Sequence, residues 1–93
     1  MRDYELTLIL KPDLGEEGLS NTSERIKGWI TSGGGEVLSV TNAGRKRLAY
    51  SIGHSRDGSY VVIQLRTRPD ALPPVERNLK LSEDVLRHVF LRH

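Results

Sequence analysis

The stretch Gly44-Arg45-Lys46-Arg47-Leu48-Ala49-Tyr50 brings three consecutive cations, a short apolar run and an aromatic together near the middle of the chain. Cations in that density neutralise phosphates, and a neighbouring tyrosine packs on a base or a sugar. The same residues would also serve as a solvated loop that keeps a strand edge from pairing with other chains. Further cations fall on stretches that read as strands: Arg2, Arg66, Arg87 and Arg92. They would extend a basic surface around the cluster. Arg25 and Lys27 flank Glu24 in a helical segment and read as solvated or paired.

Other chemistries lack their parts. His54, His88 and His93 lie in different elements, and none has a partner at metal-ligand spacing. The acidic pairs Glu16-Glu17 and Glu83-Asp84 sit at a helix start and in a turn, which capping and solvation explain. No nucleophile-elbow motif is present. The triplet Gly33-Gly34-Gly35 has no following lysine, and neither does the stretch from Gly53 to Ser59, so neither is a phosphate loop. With no cysteine, the chain has no disulfide framework and no thiolate metal site. No cofactor is implied.

The elements that must carry the cluster follow from periodicity. Arg2 to Leu10 alternates, with Leu6, Leu8 and Leu10 on one side and Glu5, Thr7 and Ile9 on the other, a half-buried strand ended by Pro12. Gly15-Glu16-Glu17 opens a helix whose Leu19, Ile26, Trp29 and Ile30 share a face, and Gly33 is the candidate left-handed cap. Glu36 to Thr41 is a second strand, with Gly44 marking a bend or bulge before the cluster. Gly53 to Gly58 is the expected loop after it, with Asp57-Gly58 as a turn signal. Val61, Ile63 and Leu65 form one face of a third strand; Tyr60, Val62, Gln64 and Arg66 form the other. Asp70 is the expected N-cap of a second helix, with Pro73 and Pro74 in its first turn. Val85 to Arg92 closes the chain as a strand. The order βαββαβ predicts one α+β domain over residues 1–93, a ferredoxin-like split βαβ fold with a four-stranded antiparallel sheet and two helices on one face. Right-handed crossovers put the first and third strands in the centre. The open face should carry Tyr60, Gln64, Arg66 and Arg87.

Ninety-three residues fit one modest core. The net charge of +2 is unevenly placed. Residues 1–44 hold four Lys/Arg against seven Asp/Glu, a balance of −3; residues 45–93 hold ten against five, a balance of +5. That lopsidedness prepares one part of the surface for an anionic partner but does not suit indiscriminate coating of nucleic acid. The charged opening shows no signal peptide, and no apolar run approaches a membrane span.

Met1-Arg2-Asp3-Tyr4-Glu5, then Pro12-Asp13-Leu14, then Gly44 to Tyr50 resembles the bacterial small-subunit ribosomal protein six family over essentially the whole chain. The resemblance implies the same split βαβ fold, no enzymatic activity and a place in the cytoplasmic ribosome. It further implies binding to the central domain of small-subunit (16S) ribosomal RNA together with small-subunit ribosomal protein eighteen, and no small-molecule substrate. By the same resemblance Arg45, Lys46, Arg47 and Tyr50 belong to the region facing RNA or partner, Arg2 and Tyr4 match the family's opening, and Arg87 its basic position on the last strand. Two departures stand out. The family's Tyr-Pro-Ile is Tyr50-Ser51-Ile52 here, which releases a fixed φ and adds a backbone donor. The chain ends at His93, where many members carry a further charged tail.

Two other classes use this fold. An acylphosphatase needs an anion-cradling loop with a positioned arginine and an asparagine, whereas Lys11-Pro12-Asp13-Leu14 is proline-bearing and acidic. A ligand-sensing domain that dimerises through its sheet calls for a more apolar, less cationic surface than Arg45-Lys46-Arg47 allows. The aromatic-rich signature of an RNA-recognition motif is missing.

Overall fold

The alternation of Leu6, Leu8 and Leu10 sends all three beneath the helices, where they are fully buried. They belong to strand β1 (Arg2–Leu10), followed by helix α1 (Gly15–Ser32), β2 (Glu36–Ile52), β3 (Ser55–Thr67), α2 (Leu72–Leu81) and β4 (Val85–Arg92). The structure is a computed structural model and describes residues 1–52 and 55–93. The sheet order is β2-β3-β1-β4, antiparallel throughout, so β1 and β3 are central as the crossover argument predicts.

One face of the sheet holds the core. Leu6, Leu8 and Leu10 pack with Val61, Ile63 and Leu65 of β3, Ile26 and Ile30 of α1, and Val75 and Leu79 of α2. Truncating any one of these leucines to alanine costs roughly 2–5 kcal/mol. Trp29 is half-buried against the same cluster.

Each helix is entered through a single 3₁₀ turn, Pro12–Leu14 and Pro69–Ala71. Pro73 and Pro74 sit in the first turn of α2, where no intrahelical donor is lost. Asp70 does not cap α2. It lies inside the preceding turn and pairs with Arg68 at 3.4 Å instead. The end of α1 also differs from expectation. Gly33 has an ordinary φ of −84°, and it is Gly34 that takes the left-handed conformation, φ 87°. Gly35 is needed for space, since a Cβ there would lie 2.9 Å from Ile30 Cγ2 and 3.0 Å from Thr67 Oγ1. The glycine triplet is a chain reversal packed against the core.

The larger difference lies in β2 and β3. The loop expected over 53–58 is mostly strand: Asp57 and Gly58 pair with Arg47 and Lys46. Asp57-Gly58 therefore makes no turn. The predicted loop residues Gly53 and His54 lie outside the described residues. Gly44 is a bulge as expected, with φ 89°, and its N–H donates to the Asn42 side-chain oxygen at 2.9 Å. Pairing with β1 ends at Leu10↔Ser59, so the outer part of the β2–β3 hairpin extends past the rest of the sheet.

Candidate nucleic-acid interface

The hairpin places its cations by alternation. Lys46 stands opposite Gly58 on the open face, while Arg45 and Arg47, opposite Ser59 and Asp57, point to the other side. All three are exposed. Each of two has a neighbour that orients it. Arg45 pairs with Asp57 at 3.3 Å, and the Lys46 ammonium lies 5.4 Å from the centroid of the Tyr60 ring. The first is a solvent-exposed ion pair worth little in stability. The second is a cation–π contact that leaves the ammonium open to an anion.

The outer hairpin does not continue the sheet plane. It leans across the open face, so that Tyr50 of β2 reaches β4, the opposite edge. Arg87 Nη1 donates to the Tyr50 hydroxyl at 2.5 Å. Beneath this bridge lies a cleft of about 200 Å³ lined by Ile9, Leu48, Tyr50, Ile52, Tyr60 and Arg87. Ile9 is thereby nearly buried although it faces away from the helices. Gly58 makes the close approach possible, because a Cβ on it would collide with Ile9 Cγ2. Tyr60, Ile9 and Leu48 are the residues sequence reasoning did not assign to the site. Their signal depends on the strand register, which the Asp57-Gly58 turn signal obscured.

The eight expected contact residues divide three ways. Arg45, Lys46, Arg47, Tyr50 and Arg87 gather at the hairpin end. Arg2 and Arg92 are exposed at the opposite end, on the strand positions that share the helix-covered side: Arg92 stands opposite Tyr4, and Arg2 opposite Thr67. Five residues of strand separate Arg87 from Arg92, roughly 17 Å. Tyr4 is corrected. Its parity with Leu6 and Leu8 sends it into the core, where it is 6% exposed, so it leaves little side-chain surface for a partner.

Open-face Arg66 is engaged elsewhere. Its Nε donates to Asp3 at 2.7 Å, and Gln64 donates to Glu5 at 2.8 Å, each across a directly paired position of β1 and β3. The Arg66 hydrogen bond holds the Asp3 carboxyl below its ordinary pKa, and Asp3 raises that of Arg66. Among the described residues no cluster of His, Cys, Asp or Glu could hold a metal ion, and no helix is long and apolar enough to cross a membrane.

Comparison with known proteins finds relatives over nearly the whole chain. The family model for ribosomal protein S6 matches residues 3–92. The small ribosomal subunit protein bS6 of Carboxydothermus hydrogenoformans is 38% identical over 92 residues, covering 99% of this chain and 96% of its own. That of Moorella thermoacetica is 37% identical, covering 99% and 94%. A crystal structure of 30S ribosomal protein S6 from Thermotoga maritima superposes with a TM-score of 0.93 at 29% identity, covering 99% of this chain and 87% of that one. The C-terminal domain of the MgtC protein from Mycobacterium tuberculosis shares the fold, with a TM-score of 0.68 at 13% identity. The relatives are named as structural parts of the small ribosomal subunit, a non-enzymatic role, and on the match over nearly its whole length this chain belongs to the ribosomal protein S6 family.

Proposed function

We propose that the chain is a structural protein of the cytoplasmic small ribosomal subunit that binds the central domain of 16S ribosomal RNA jointly with small-subunit ribosomal protein eighteen. The carrying observation is the hairpin end: Arg45, Lys46 and Arg47 exposed on strands that outrun the sheet, with Arg87 beside them. Cations on an extended hairpin reach phosphates on both of its sides without a concave pocket, and RNA shape and a shared protein surface supply specificity. The net charge of +2 is small for strong solitary binding, which favours joint binding with a second protein.

The test is binding of the full chain to a central-domain RNA fragment at two salt concentrations, with and without protein eighteen. Tight binding in the presence of protein eighteen, weak binding in its absence and a steep salt dependence are expected. No binding in either arrangement removes this reading.

A further inference from the structure

We propose that the Tyr50–Arg87 hydrogen bond is a clasp that ties the β2–β3 hairpin to the far edge of the sheet, and that Tyr50 serves as a positioning residue for the hairpin cations and not as a base-stacking platform. The inference rests on the RNA-binding reading above.

Beyond Leu10↔Ser59 the described residues of the hairpin pair only with each other. Two strands alone are marginal in water. The Gly44 bulge frees the outer part to turn, and the described side chains that hold it to the domain meet over Ile9. Leu48 supplies apolar contact there. Tyr50 is 61% exposed and buries little, so its contribution is carried by its hydroxyl. A bond from a charged guanidinium is of the stronger, directional kind. It joins β2 to β4, the two strands farthest apart in the order β2-β3-β1-β4. Closed, it fixes Arg87 beside the hairpin and sets the spacing between that cation and Lys46 on the same face. Open, the hairpin samples other poses, and RNA binds only the competent fraction, so the apparent affinity falls by that fraction.

A stacking tyrosine and a clasping tyrosine respond differently to loss of one oxygen. Tyr50→Phe keeps the ring and removes the acceptor. The amides of residues 45–50 are expected to exchange faster in this variant without RNA, while the global unfolding midpoint stays close to that of the parent, because Tyr50 lies outside the core. Affinity for the central-domain RNA fragment with protein eighteen should fall roughly three- to tenfold. The slope of log affinity against log salt should not change, since no cation is lost. Tyr50→Leu should match Tyr50→Phe. Parental amide exchange in Tyr50→Phe overturns the clasp, and so does parental affinity in Tyr50→Phe with a loss only in Tyr50→Leu, which is the behaviour of stacking. If the parent chain binds no RNA fragment, the functional reading fails, while the exchange measurement still decides whether the hairpin is clasped.

Discussion

The two ends of the open sheet face treat their arginines in opposite ways. At one end, Arg66 is directly opposite Asp3, bonded at 2.7 Å, and next to it Gln64 bonds Glu5. Asp3 cancels the Arg66 charge there, and Glu5, held only by a neutral amide, keeps its own, so that end of the face offers an anion nothing. At the other end, Arg87 is held by a phenol and Lys46 by the face of an aromatic ring. Both partners are neutral. They orient a cation without discharging it. The count of basic residues thus says less about an anion-binding surface than the identity of what each one leans on.

The largest effect should come from emptying the charged end. Replacing Arg45, Lys46 and Arg47 together with alanine should lower RNA affinity by roughly one to two orders of magnitude and flatten the salt dependence by about two charges, since Asp57 already offsets Arg45, with stability little changed. An unchanged salt slope in the triple variant would remove the hairpin from the interface.

Next is the floor beneath it. Gly58→Ala drives a methyl toward Ile9, and denaturant unfolding should show a loss of about 1–3 kcal/mol. Gly35→Ala, crowded against Ile30 and Thr67 away from the hairpin, should also destabilise. The two should part in RNA binding at a temperature where both are folded. Gly58→Ala lifts the hairpin and weakens binding; Gly35→Ala does not.

The arginines themselves give a smaller and more direct contrast. Arg87→Ala should reduce the salt slope by about one charge and the affinity several-fold. Arg66→Ala should leave the slope as it is, because Asp3 already neutralises that cation. Equal slopes for the two variants would erase the distinction between the ends.

The smallest effect is the pH response of the neutralised end. The Asp3 pKa is lowered by its bond to Arg66, so the folded state binds its proton less readily than the unfolded chain does. The resulting stabilisation is present above the ordinary carboxylate range and is lost as pH falls through the lowered value. The pair is exposed, so the effect is slight. Thermal unfolding of Asp3→Asn should show a slightly shallower acid destabilisation than the parent, and no change in RNA binding at neutral pH.

The fold was legible because its signals are redundant. Alternation in β1 and β3, the helical stripe through Ile26 and Ile30, and prolines confined to first turns all point to one arrangement. The outer hairpin was legible only in part. The basic cluster announces itself by composition. Its setting depends on long-range pairing, and Asp57-Gly58 carries a local turn preference that the ladder overrides. The same gap hid Tyr60 and Ile9, which become neighbours of Lys46 and Tyr50 only once the strands are in register. Tyr4 was misplaced for a different reason. Its match to a family opening says that the residue belongs there, whereas its parity with Leu6 and Leu8 says which way it points, and parity decides exposure.

Tyr50 and Arg87 are 37 positions apart, and that separation orders events in time. The hairpin closes over short distances, Arg47 meeting Asp57 ten residues later, and local closures are fast. Arg87 arrives on the last strand, after α2 has crossed back over the sheet. A growing chain therefore displays its cations well before it can hold them in their final pose. On the clasp reading, an incomplete chain on the ribosome that makes it has the charge to meet RNA loosely but lacks the strand that fixes the grip, so firm attachment waits until the whole domain has been synthesised.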